Sequence, residues 1–201
     1  MHILFKLASF IFHPVWMPFA GSLIFFLISP RFFPLTVIKA KLLAIAIMTV
    51  FIPIVFYFML KTLGQNSSYF LEDVKERKWP LFFNLFLIVI ILSYVLNDFD
   101  YPALYYYFVA ILISSAIALI LVLFRIKISL HMMGIAGLTT FLVILSLYYS
   151  INLIYTISFF IAITGLTASA RLHFRAHTIK ELHLGFFTGL IPQVLVLYFW
   201  L

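Results

Sequence analysis

The chain has 201 residues, of which 66% are hydrophobic and 9% charged, where an ordinary soluble domain carries about 25% charged residues. That balance excludes a water-soluble core, and at about 20 apolar residues per crossing the length admits roughly seven spans. Thirteen Lys and Arg against six Asp and Glu leave a net charge of +7, and Cys is absent, which excludes disulfides, thiolate nucleophiles and Cys metal sites.

Apolar stretches fall at 3–29, 41–60, 80–97, 102–124, 131–149, 151–169 and 183–200. The first carries Pro14 and Pro18 and lacks an Ala-x-Ala-like cleavage site, so it is expected to remain as a span rather than act as a signal peptide. Breaks are marked by Pro30 to Pro34, Gly64 to Pro80, Asn97 to Pro102, Arg125 to Ser129, Ser150 to Asn152 and Arg171 to Glu181. The division at Ser150 fixes the count, because the apolar run from Met132 to Ala168 admits other cuts. The expected fold is all-α, a polytopic transmembrane bundle of six to seven spans in a single domain, residues 1–201.

With seven crossings, alternation puts the chain start and the breaks at 61–79, 125–130 and 170–182 on one face. That polar face holds Lys6, Lys61, Lys75, Arg77, Lys78, Arg125, Lys127, Arg171, Arg175 and Lys180, against Arg31, Lys39 and Lys41 opposite. Basic residues placed between apolar segments point to anionic headgroups of the bilayer rather than to nucleic acid. The positive-inside bias reads this face as cytoplasmic, whereas cations kept to bind a substrate report only the side of the site.

The segment from Ala170 to Glu181 concentrates two Arg, two His and an acid between two spans. If helical from His173 onward, His173, His177 and Glu181 recur along one face. A carboxylate one turn after His177 holds its imidazole in one tautomer and leaves the other nitrogen to attack. Arg171 and Arg175 carry forked donors suited to an anionic oxygen. A second cluster, Arg125, Lys127, Ser129 and His131, supplies an imidazole to protonate a leaving oxygen and a hydroxyl to donate to phosphate. A third, Lys75-Glu76-Arg77-Lys78-Trp79-Pro80, closes the longest polar loop. Beside these readings stands a plainer one, in which basic residues next to spans anchor the chain by snorkelling to headgroups. His13 before Pro14 either reaches the polar cavity or packs at a proline kink, and Gly185 and Gly189 form a small-x3-small packing face.

Arg171, five residues, His177, three residues and Glu181 resemble the third motif, Ser-Arg-x5-His-x3-Asp, of the type 2 phosphatidic acid phosphatase superfamily, with Ala170 for Ser and Glu181 for Asp. Ser129-Leu130-His131 is similar to the second motif, Pro-Ser-Gly-His, with Ile128 and Leu130 in place of Pro and Gly. The first motif, Lys-x6-Arg-Pro, is degenerate: Glu72 and Trp79 occupy the Lys and Arg positions before Pro80. The resemblance covers about residues 72–190 and marks a divergent member.

It implies a membrane lipid phosphatase of the cell (inner) membrane that hydrolyses a phosphomonoester or pyrophosphate of a lipid through a phosphohistidine, with no cofactor and no metal. His177 is then the nucleophile, Glu181 its orienting partner and His131 the acid, while Arg171, Ser129 and Arg77 or Lys78 bind the phosphoryl oxygens. The phosphorylated lipid is the expected partner. The alternatives are an inactive relative binding anionic lipid or a partner membrane protein, and a small anion transporter.

Overall fold

The computed structural model describes residues 2–64 and 73–199; Glu72 lies outside the described residues. Seven of its helices are long and apolar enough to cross a membrane: His2–Ile28, Leu35–Thr62, Val74–Val95, Pro102–Leu123, Leu130–Tyr148, Ile154–His173 and Ile179–Phe199. They are called the first to seventh spans below. The fold is an all-α polytopic bundle, and the described residues contain no strand.

The first span is two helices, His2–Ile11 and Met17–Ile28, joined through a 3₁₀ turn at Pro14–Trp16. Pro14 forces the break, because the residue before a proline is pushed out of the helical region, and His13 is extended at φ −66°, ψ 139°. Pro18 does not add a second break, since it falls in the first turn of the following helix, where its missing N–H has no partner to lose.

The second and third spans begin earlier than their apolar runs. Leu35 starts a helix directly after Pro34, so Lys39 and Lys41 are helical. Lys41 bends back to donate to the Val95 carbonyl and lies 5.4 Å from the centre of the Tyr101 ring, a snorkelling geometry that keeps its stem apolar. The third span opens at Val74 because Asp73 caps it, accepting from the Lys75 amide at 2.9 Å. Arg77 and Lys78 are therefore helical residues, and Pro80 sits in the first turn of the α-helix Lys78–Ile90 rather than at its edge.

The division at Ser150 is present. The fifth span ends at Tyr148 and the sixth starts at Ile154, with Ser150 at φ 52°. Arg125 and Arg175 adopt the same left-handed conformation after the fourth and sixth spans, at φ 60° and 51°. In each case two amides turn back on the helix end, Arg125 N and Ile126 N to the Val122 and Leu121 carbonyls, and Arg175 N and Ala176 N to those of Leu172 and Arg171. This closure satisfies the orphan carbonyls of a helix C-terminus.

The fifth span is the centre of the bundle, with half of its most apolar window buried, and it packs closely on the seventh. The approach depends on glycine. A Cβ at Gly185 would lie 2.3 Å from the Ser129 carbonyl oxygen, and one at Gly189 would lie 2.0 Å from that of Met133. The seventh span is thus held by its small residues against the first turn of the fifth, which brings the loops after the fourth and sixth spans together.

Candidate functional site

The His177–Glu181 pair stands at the start of the seventh span. Thr178 caps that helix, accepting from the Glu181 amide at 3.4 Å, and the Glu181 carboxylate accepts from the Thr178 amide at 3.4 Å, a reciprocal capping box. The same carboxylate oxygen lies 2.7 Å from His177 Nδ1. A carboxylate accepts, so Nδ1 carries the proton and Nε2 is left with its lone pair. One Glu therefore starts the helix and fixes the imidazole tautomer.

His177, Glu181, Lys127, Arg175, Leu172, Ala176 and Thr178 line an open cavity of about 320 Å³. Burial lowers the His177 imidazole to about 4; the hydrogen bond to Glu181 acts in the opposite direction, and Arg77 and Lys127 add to the lowering. His177 is accordingly neutral at pH 7, the state a nitrogen nucleophile needs.

Arg77 is 5% exposed, and its Nη1 donates to the Ile128 carbonyl at 2.8 Å. It joins the start of the third span to the loop before the fifth, and it lies close enough to act electrostatically on both His177 and Glu181. Lys78 is exposed, 5.4 Å from the centre of the Trp79 ring, and is not among the residues lining the cavity.

Ser129 is fully buried. Its hydroxyl caps the fifth span, accepting from the Met132 amide at 3.3 Å, and its own amide donates to the Glu181 carbonyl at 3.1 Å. The backbone at Ser129 and the first turn at Glu181 are thus in direct contact, whereas the Ser129 side chain serves the helix end. His131 points toward the first span: Nε2 lies 3.1 Å from the Ser9 carbonyl, and its ring centre is 5.0 Å from that of His13. Arg171 is 6% exposed, and its Nε has no hydrogen-bond partner.

The sequence expectation of one helical face through His173, His177 and Glu181 is not met. The sixth span ends at His173 and the chain turns at Arg175 before Ile179 restarts the helix. The His173 ring instead packs on His2, Phe5 and Phe174, at 5.8, 5.0 and 5.2 Å between centres. No group of three or more His, Asp or Glu among the described residues is arranged to hold a metal.

Lys127 and Arg175 line the cavity although neither holds a motif position; the sequence marks Arg175 by its forked donor beside Arg171 and Lys127 by its place in the second cluster. No protein-family model, curated protein or solved structure matches the chain.

Proposed function

We propose that the protein is a lipid phosphatase of the cell membrane, acting on a phosphomonoester or pyrophosphate borne by a lipid and divergent from the type 2 phosphatidic acid phosphatases. The observation that carries the reading is the His177–Glu181 pair at 2.7 Å, with the free nitrogen of a neutral imidazole beside a cavity that Lys127 and Arg175 also line.

In the proposed reaction, His177 Nε2 attacks phosphorus, the N–P bond forms and the P–O bond to the lipid breaks. Negative charge on the equatorial oxygens is met by Lys127, Arg175 and Arg77, preorganised donors of the kind that stabilise phosphoryl transfer. Glu181 stabilises the ring as it becomes cationic. Water then attacks phosphorus and gives one proton back to the group that protonated the lipid oxygen, the N–P bond breaks, and inorganic phosphate leaves carrying the remaining hydroxyl. The departing lipid oxygen takes one proton. His131 supplies it only if its Nε2–H leaves the Ser9 carbonyl, because a neutral imidazole has one N–H and that carbonyl holds it.

That hydrogen bond also favours a second reading, an inactive relative that binds anionic lipid without turning it over. Phosphate release from phosphatidate, phosphatidylglycerophosphate and polyprenyl pyrophosphate, measured on the purified protein and on His177→Ala, separates the two. Release that disappears in His177→Ala supports the phosphatase. Release undiminished in that variant removes His177 as nucleophile, and lipid binding without any release leaves the binding protein.

A further inference from the structure

Three spans bring polar side chains together where the capping and packing described above do not use them up. Thr167 and Arg171 lie one turn apart on the sixth span, 0% and 6% exposed, and neither Thr167 Oγ1 nor Arg171 Nε has a hydrogen-bond partner. Arg171 acts electrostatically on both His13 and His131, in keeping with the packing of the sixth span against the first and the fifth. No carboxylate pairs with Arg171 among the described residues. A buried guanidinium without a counter-charge costs several kcal/mol, and a water molecule does not supply the charge. An anion does.

The hydrogen bonds of the two histidines fix which ring nitrogens are left over. His13 Nδ1 accepts from the Val15 amide at 3.4 Å, so its proton is on Nε2, on a side chain exposed at the break in the first span. His131 Nε2 faces a carbonyl at 3.1 Å, so it is the donor there and His131 Nδ1 carries the lone pair. The donors of the group left over are therefore His13 Nε2–H, Arg171 Nε–H and the Thr167 hydroxyl.

We propose that His13 is a phosphate-binding residue, its Nε2–H and the unpartnered Arg171 Nε–H receiving oxygens of one phosphomonoester between the first, fifth and sixth spans. The phosphate is the headgroup of a phosphorylated lipid or free inorganic phosphate. The inference rests on the reading of the polar face as a phosphate site and does not require turnover. It gives the break at Pro14 a use: an unbroken helix would point residue 13 elsewhere, and the extended conformation turns its ring to His131.

The test is binding to the full-length protein carrying His177→Ala, in which phosphoryl transfer to residue 177 is abolished, in nanodiscs of phosphatidylcholine. Inorganic phosphate and dioctanoyl phosphatidate are titrated by calorimetry with His13 intact, as His13→Asn and as His13→Gln. Asn reproduces the Nδ1 acceptor that caps Val15 and lacks the distal donor; Gln reproduces the distal donor and lacks the cap. Loss of one net hydrogen bond weakens both ligands about tenfold in His13→Asn, while His13→Gln stays within about twofold. A residue needed only for the turn gives the reverse order, and that result overturns the proposal. So does weakening confined to phosphatidate, which would place His13 on the glycerol portion, and so does the absence of phosphate binding with His13 intact. Tighter binding of phosphatidate than of phosphate identifies the lipid headgroup as the source; equal binding identifies free phosphate. Phosphate binding through His13 in this background, together with no release from any lipid by the parent protein with His177 intact, overturns the phosphatase and leaves this site standing. A parent protein that hydrolyses lipid while His13→Asn binds as before does the opposite.

Discussion

Glu181 has two separable duties, and substitution there weighs them against each other. Its carboxylate holds His177 Nδ1 at 2.7 Å and completes the capping box with Thr178 at 3.4 Å. A hydrogen bond to a charged group contributes about 1.5–3 kcal/mol, and a neutral acceptor roughly half of that. In Glu181→Gln the amide oxygen still accepts from Nδ1, so kcat is expected to fall about four- to twelvefold, at tenfold per 1.36 kcal/mol. In Glu181→Ala the whole bond is lost and nothing opposes the tautomer with its proton on Nε2, which has no lone pair to attack; kcat falls about 10- to 150-fold on the same scale. Because the carboxylate is bonded to the imidazole and the helix end, KM is expected to change little. The Ala variant also loses the carboxylate half of the cap, about 1 kcal/mol of stability. The assay is phosphate release from phosphatidate in mixed micelles, fitted for kcat and KM, beside thermal unfolding of each variant. A Glu181→Ala protein with lowered Tm and an unchanged kcat refutes the reasoning, and Glu181 is then a helix cap alone.

Gly189→Ala sets a Cβ 2.0 Å from the Met133 oxygen, well inside the 3.4 Å of ordinary contact, so the fifth and seventh spans must separate; a loss of about 1–3 kcal/mol is expected in thermal or denaturant unfolding in detergent. Ser129→Ala removes the cap on Met132 and is expected to lower stability by about 1 kcal/mol while phosphate affinity stays as in the parent; a selective loss of affinity would instead make the hydroxyl a ligand. As pH falls from the ordinary imidazole value of 6.5 toward about 4, the unfolded chain takes up a proton at residue 177 that the folded protein excludes. Stability therefore declines on that descent and is level above it, and a Tm series from pH 8 to 4 on parent and His177→Ala reads the difference. Cysteines introduced at Arg125 and Asn97 are expected to be labelled from opposite sides of sealed vesicles; labelling from one side refutes the seven-span topology.

Much of the architecture is legible along the chain, because lipid imposes a local rule. Each backbone polar group inside the bilayer must be satisfied within its own helix, so apolar length and turn residues mark the spans, while the run from Met132 to Ala168 admits other cuts and the structure places its break at Ser150. The ends of the second and third spans are less legible: Lys41 and Arg77 look like boundaries in a hydropathy reading, yet their heads reach the Val95 and Ile128 carbonyls from within helices. The His177–Glu181 pairing is likewise a four-residue matter that spacing reveals.

What faces what across the bundle is not local. Whether Ser129 caps a helix or meets a ligand, whether His131 turns to the cavity or to Ser9, and that the His13 ring meets that of His131 from a span more than 100 residues away in sequence all depend on the approach of helices at Gly185 and Gly189 and on the break at Pro14. Spacing along one helix fixes which side chains share its face. Only the packing of helices against one another decides which atoms on those faces find a partner and which are left without one.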